Sequence, residues 1–115
     1  MTKYLISFRD EAVDYRDEDV ADIAEASSAM TREAIAAGVF VFGGGIKGGL
    51  EDAWTVDEAG VVTDGPYPES KEHLGGFIIV DVDTLEDALM WAGKCAAACR
   101  ATMQVRELLS GAEAR

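Results

Sequence analysis

The run DGPYPESKEH, residues 64 to 73, holds Asp64, Glu69, Lys71, Glu72 and His73 within ten positions. A carboxylate, an amine and an imidazole so close together are the groups that general acid–base chemistry uses, because between them they can accept and return a proton near neutral pH. Asp64, Lys71 and His73 are therefore the candidate catalytic residues, with Tyr67, Glu69, Ser70 and the nearby Trp54 as candidate substrate contacts. The chemistry expected is metal-free proton transfer or a lyase-type step on a small, polar organic compound, with no cofactor. Each residue also has a plain structural reading. An aspartate before Gly-Pro fixes a turn by accepting hydrogen bonds from its own loop. A lysine between two glutamates forms a solvated ion pair worth under about 1 kcal/mol. His73, the sole histidine, has the side chain whose ordinary pKa lies nearest neutrality, and it sits either in a pocket or on the surface. Tyr67 and Trp54 either line such a pocket or pack under the loop.

Two other motifs invite chemistry and lose it on inspection. Gly43, Gly45 and Gly48 satisfy the spacing G-x-G-x-x-G, but that motif binds a pyrophosphate only when a helix opens directly after it. Here the chain continues LEDAWTVDEAGVVTDG, a strand, a turn and a returning strand. A glycine turn is the expectation. Cys95 and Cys99, in KCAAACR, fall one helical turn apart, which suits buried thiols better than a disulfide, and no two further ligands are at hand for zinc.

The elements that must position these residues follow from hydrophobic period. KYLISFR alternates, with Tyr4, Ile6 and Phe8 on one side of a first strand and Leu5 and Ser7 on the other. From Asp17 to Ala37 the period is helical, with Val20, Ile23, Ala24, Met30, Ala34 and Ile35 as the inner stripe and Gly38 as terminator. Asp17, Glu18, Asp19 and Asp22 crowd its first turns, where the helix dipole favours acids. Val39 to Phe42 form a second strand, Trp54 to Val56 and Val61 to Thr63 a hairpin, and FIIVDVD a central strand, apolar on both faces. Thr84 with Asp87 caps a second helix whose stripe is Leu85, Ala88, Leu89 and Ala92. TMQVREL closes the domain, residues 1–109, and residues 110–115 form a flexible tail.

This order is the ferredoxin-like βαββαβ with an extra hairpin, an α+β fold in which two helices cover one face of an antiparallel sheet. The other face keeps large apolar side chains, each worth about 1.5 to 3 kcal/mol when buried. A second copy is the simplest cover, so a homodimer, a dimeric α+β barrel, is expected, with an unknown small molecule bound between sheet, loop and partner.

Composition bounds the partners. The 115 residues carry a formal charge of -12 with their ten cations scattered, which argues against nucleic acid, against a role in transcription by direct DNA contact, and against anionic membrane surfaces. No apolar run is long enough to span a bilayer, and MTKYLISFRDEAVDY turns acidic before an export signal develops. A cytoplasmic location is the expectation.

The stretch TDGPYPESKEHLGGFIIVDVDTLEDALMWA, residues 63 to 92, resembles the signature of the YCII-related, or DGPF-domain, family. Asp64, Gly65, Pro66, Tyr67, Glu69, Ser70, Lys71, Glu72, Leu74, Gly75, Gly76 and Phe77 carry the match. Tyr67 stands where the family usually has Phe, His73 where Gln is usual, and Glu107 where a proline commonly follows the arginine. The resemblance implies the dimeric ferredoxin-like barrel and supplies no substrate. Some relatives resemble enzymes acting on small ring acids or lactones through a histidine and an aspartate. The first helix here has no histidine, so only Asp64 matches that arrangement. An acid–base enzyme and a non-catalytic ligand-binding or structural dimer module stand as the two alternatives.

Overall fold

The computed structural model describes residues 1–9, 16–47, 53–65 and 74–110. Along them run β1 (Thr2–Arg9), α1 (Val20–Ala36), β2 (Phe40–Gly45), β3 (Trp54–Val56), β4 (Val62–Asp64), β5 (Leu74–Val82), α2 (Leu85–Cys99) and β6 (Gln104–Glu107). A short 3-10 turn, Asp17–Asp19, leads into α1. β2, β5, β1 and β6 form one antiparallel sheet in that spatial order, while β3 and β4 pair separately as the extra hairpin. Two interleaved units, β1-α1-β2 and β5-α2-β6, produce the order, which is compatible with the ferredoxin-like α+β fold.

Strand alternation decides what each face carries. Tyr4 lies opposite Val80 and Ile6 opposite Ile78, and these four are buried under the helices together with Val82. Helix α1 contributes Met30 and Ala34 to that core, and α2 contributes Ala88, Trp91, Ala92 and Cys95. The inner stripes thus differ in part from the expected ones. Val20, Ala24 and Ile35 on α1 and Leu85 and Leu89 on α2 are exposed. On α2 the contact row is 88, 91, 92 and 95, where small alanines admit close approach and Trp91 fills the remaining space.

The helix ends are fixed by polar contacts. Thr84 Oγ1 accepts from the Asp87 N–H at 3.1 Å, the N-cap bond expected at the start of α2. Gly38, with φ of 77°, stands just past the end of α1. Asp19 at the start of α1 meets Arg16 at 3.6 Å and, from the far end of α2, Arg100 at 3.4 Å.

One expectation fails. Gly43 to Gly45 do not turn; they complete β2. Gly43 passes so near β5 that a Cβ there would stand 2.8 Å from the Phe77 carbonyl oxygen, so close backbone approach outweighs glycine's poor strand propensity. Gly48, the third glycine of the nucleotide-type spacing, lies outside the described residues.

On the face away from the helices, Leu5 lies opposite Ile79, and Phe42 sits beside Ile79 with its ring 6.0 Å from that of Phe77. Lys3 and Asp81 pair on the same face at 3.5 Å. The molecule measures 44 × 42 × 19 Å, the thickness of one sheet and one helix layer, and no described helix covers this second face. The expected tail falls largely on residues 111–115, outside the described residues.

Candidate functional site

Between the sheet and the two helices lies a cavity of about 260 Å³. Ile6 and Phe8 of β1, Phe40 of β2 and Ile78 of β5 form its floor, and Ile23 and Met30 of α1 its roof. Cys95 and Cys99 reach it from α2, and Met103 from the segment before β6. The floor depends on Gly76. A Cβ on that residue would stand 2.7 Å from Phe8 Cε1, so the second glycine of the GG pair is what lets the Phe8 ring lie across β5.

The polar part of the lining is small. Thr31 Oγ1 donates to the Ser27 carbonyl at 3.0 Å, and Ser27 Oγ shares a hydrogen bond with Cys99 Sγ at 3.4 Å. These groups make one polar end to a cavity whose other lining is apolar side chains and the backbone of Gly43 to Gly45. Cys95 Sγ donates to Met30 Sδ at 3.6 Å. Burial pushes the Cys95 thiol up to about 12, with the neighbouring Cys99 adding to the rise, so Cys95 stays a neutral thiol at physiological pH. Among the described residues, no Asp, Glu, Lys, Arg or His lines the cavity. Nor do any three His, Cys, Asp or Glu among them group as metal ligands would. The arrangement can hold an apolar molecule and give it one or two hydrogen bonds.

Of the residues singled out by sequence, Asp64 and Trp54 are described, and both lie on the hairpin, directly opposite each other across the β3–β4 ladder. Trp54 is 71% exposed, Asp64 is exposed, and neither lines the cavity. The end of the hairpin is held by other groups: Thr55 Oγ1 donates to the Gly65 carbonyl and the Gly65 N–H to the Ala53 carbonyl, both at 2.7 Å. In the hairpin turn, Asp57 accepts the Ala59 and Val61 N–H groups at 2.9 Å; the loop that follows Asp64 and Gly65 lies outside the described residues. Tyr67, Glu69, Ser70, Lys71 and His73 lie outside the described residues.

Ser27, Thr31 and Phe8 were not legible as site residues. The signal was present on α1: Ile23, Ser27, Met30, Thr31 and Ala34 form one helical row, and two hydroxyls inside an apolar row mark a place where something polar is met.

Among the described residues, no helix is long and apolar enough to cross a membrane. No curated protein gives a significant match to the chain. The family model of the YCII-related domain nevertheless matches residues 2–110, and the chain belongs to the YCII-related family.

Proposed function

We propose that this protein is a homodimeric small-molecule-binding domain whose ligand occupies the cavity between α1 and the sheet. The cavity itself carries the proposal: a concave space of about 260 Å³, partly open to solvent and lined mainly by apolar side chains of the sheet and both helices, is the form that small-molecule sites take. Two features of the uncovered face support a second copy as its partner. Leu5, Phe42, Phe77 and Ile79 form a continuous apolar row there. Phe42, on the same face, is 61% exposed, apolar area that another surface can cover.

A second reading adds acid–base catalysis by Asp64, Lys71 and His73, with Tyr67, Glu69, Ser70 and Trp54 as substrate contacts. It is favoured by the sequence, which places a carboxylate, an amine and an imidazole within residues 64 to 73.

Native mass spectrometry of freshly purified protein tests both parts. The expected species is two chains with a small molecule retained, and Ser27→Leu, which narrows the cavity, releases that molecule while the fold persists by circular dichroism. A bare single chain at micromolar concentration overturns the proposal. Turnover that survives both Asp64→Asn and Lys71→Ala overturns the catalytic reading alone.

A further inference from the structure

We infer that the cavity selects a neutral, single-ring, largely apolar molecule bearing one hydroxyl or carbonyl group, which meets the Ser27–Thr31–Cys99 end. This rests on the ligand-binding reading above and adds to it the class of ligand. It also departs from the polar compound expected from the loop residues.

Size comes first. A cavity of about 260 Å³ exceeds the roughly 150 Å³ that admits benzene and falls short of the 300 to 1,000 Å³ of drug-sized pockets. One ring with a substituent or two fits that interval.

Charge is decided by the lining and by the whole molecule. A carboxylate or ammonium group seated against the apolar side chains would give up part of its hydration with no opposite charge among the described lining residues, which is unfavourable. The net charge of -12 adds repulsion for any approaching anion.

The walls favour a ring over a chain. Met30, Met103 and Cys95 present polarizable sulfur, and Phe8 and Phe40 present aromatic carbon, both of which pack well on aromatic faces.

The polar end sets the single functional group. The Thr31 hydroxyl hydrogen is committed to the Ser27 carbonyl, which leaves its oxygen free to accept. In the Ser27–Cys99 pair either atom can be the donor, so that end can give one hydrogen bond and take one.

The test is an amide NMR titration of the full chain at pH 7.5 with 4-methylphenol, 4-methylbenzoate, 4-methylbenzylammonium and toluene, alongside xenon pressure. The expected result is saturable shifts at Phe8, Ser27 and Thr31 with 4-methylphenol, and at least tenfold weaker binding of both ions. Ser27→Ala is expected to bring 4-methylphenol down to the affinity of toluene without changing toluene itself. Either ion binding as tightly as the phenol overturns the ligand class and leaves the binding site standing. So does xenon entering while the phenol does not. An unchanged phenol affinity in Ser27→Ala overturns the assigned polar end. If xenon also leaves the amides unmoved, the cavity reading falls and this inference falls with it.

Discussion

The Phe8 ring occupies the space that a side chain on Gly76 would need, with Cε1 2.7 Å from where the Cβ would be. The two residues pair across β1 and β5 next to the register shift between Phe8 and Arg9. Gly76→Ala is expected to force the ring off its rotamer and to destabilise the domain by about 1 to 3 kcal/mol, the usual cost of overpacking. Urea unfolding measures it. Gly44→Ala, where a Cβ would meet nothing within 4 Å, is the control and should cost much less.

The Cys95 thiol makes stability depend on alkaline pH. Its folded-state value is raised from 9.0 to about 12 by burial first and by Cys99 second. Between those values the unfolded chain has lost the proton that the folded chain retains. The favourable contribution is therefore complete below about pH 9 and is lost progressively as pH rises toward 12. Urea midpoints from pH 8 to 11 should fall more steeply for the wild type than for Cys95→Ala. Parallel slopes would show that Cys95 titrates alike in both states.

Arg100 caps α2 in the left-handed region, with φ of 53° and ψ of 44°. A residue with a Cβ pays about 1 kcal/mol or more there, which glycine avoids. Both Arg100→Gly and Arg100→Ala remove the exposed ion pair with Asp19, so the difference between them isolates the backbone. The glycine variant should be the more stable by about 1 kcal/mol, or roughly 4 to 8 °C in Tm for a domain near this size. Equal melting temperatures would mean that the cap is unstrained.

Ile79 stands in the apolar row on the uncovered face, opposite Leu5. Ile79→Glu should convert a two-chain particle into a single chain by light scattering, with the far-ultraviolet spectrum unchanged. Leu89→Glu, at a position 50% exposed on the helix layer, should leave the particle intact. A wild-type mass of one chain would remove the second copy from the account.

Much of this architecture could be read from the chain, for identifiable reasons. Phe77 and Ile79 against Ile78, Val80 and Val82 gave a strand apolar on both sides, which is the central β5. Thr84 and Asp87 announced a helix start because side-chain capping is local, needing only residues three apart. What stayed hidden was non-local. Gly43 reads as a turn former until β5 lies against it, and the Ser27–Cys99 contact joins residues 72 positions apart. Leu85 and Leu89 fall on the apolar side of α2 yet are exposed, because periodicity gives a helix an apolar side but cannot say how far the helix is rolled on its neighbour. The loop residues Tyr67, Glu69, Ser70, Lys71 and His73 were legible as chemistry, and their positions fall outside the described residues.

The strand order has a last consequence, for the margins of the sheet. β2 and β6 are its outermost members, each with one row of backbone groups turned outward. β2 is interrupted by a register shift between Phe40 and Phe42 and ends in three glycines. β6 is four residues long and carries Gln104, Arg106 and Glu107. Both are poor templates for adding a strand from another molecule, since bulges, brevity and charge each discourage lateral pairing. Growth into ribbons is thereby discouraged at both margins.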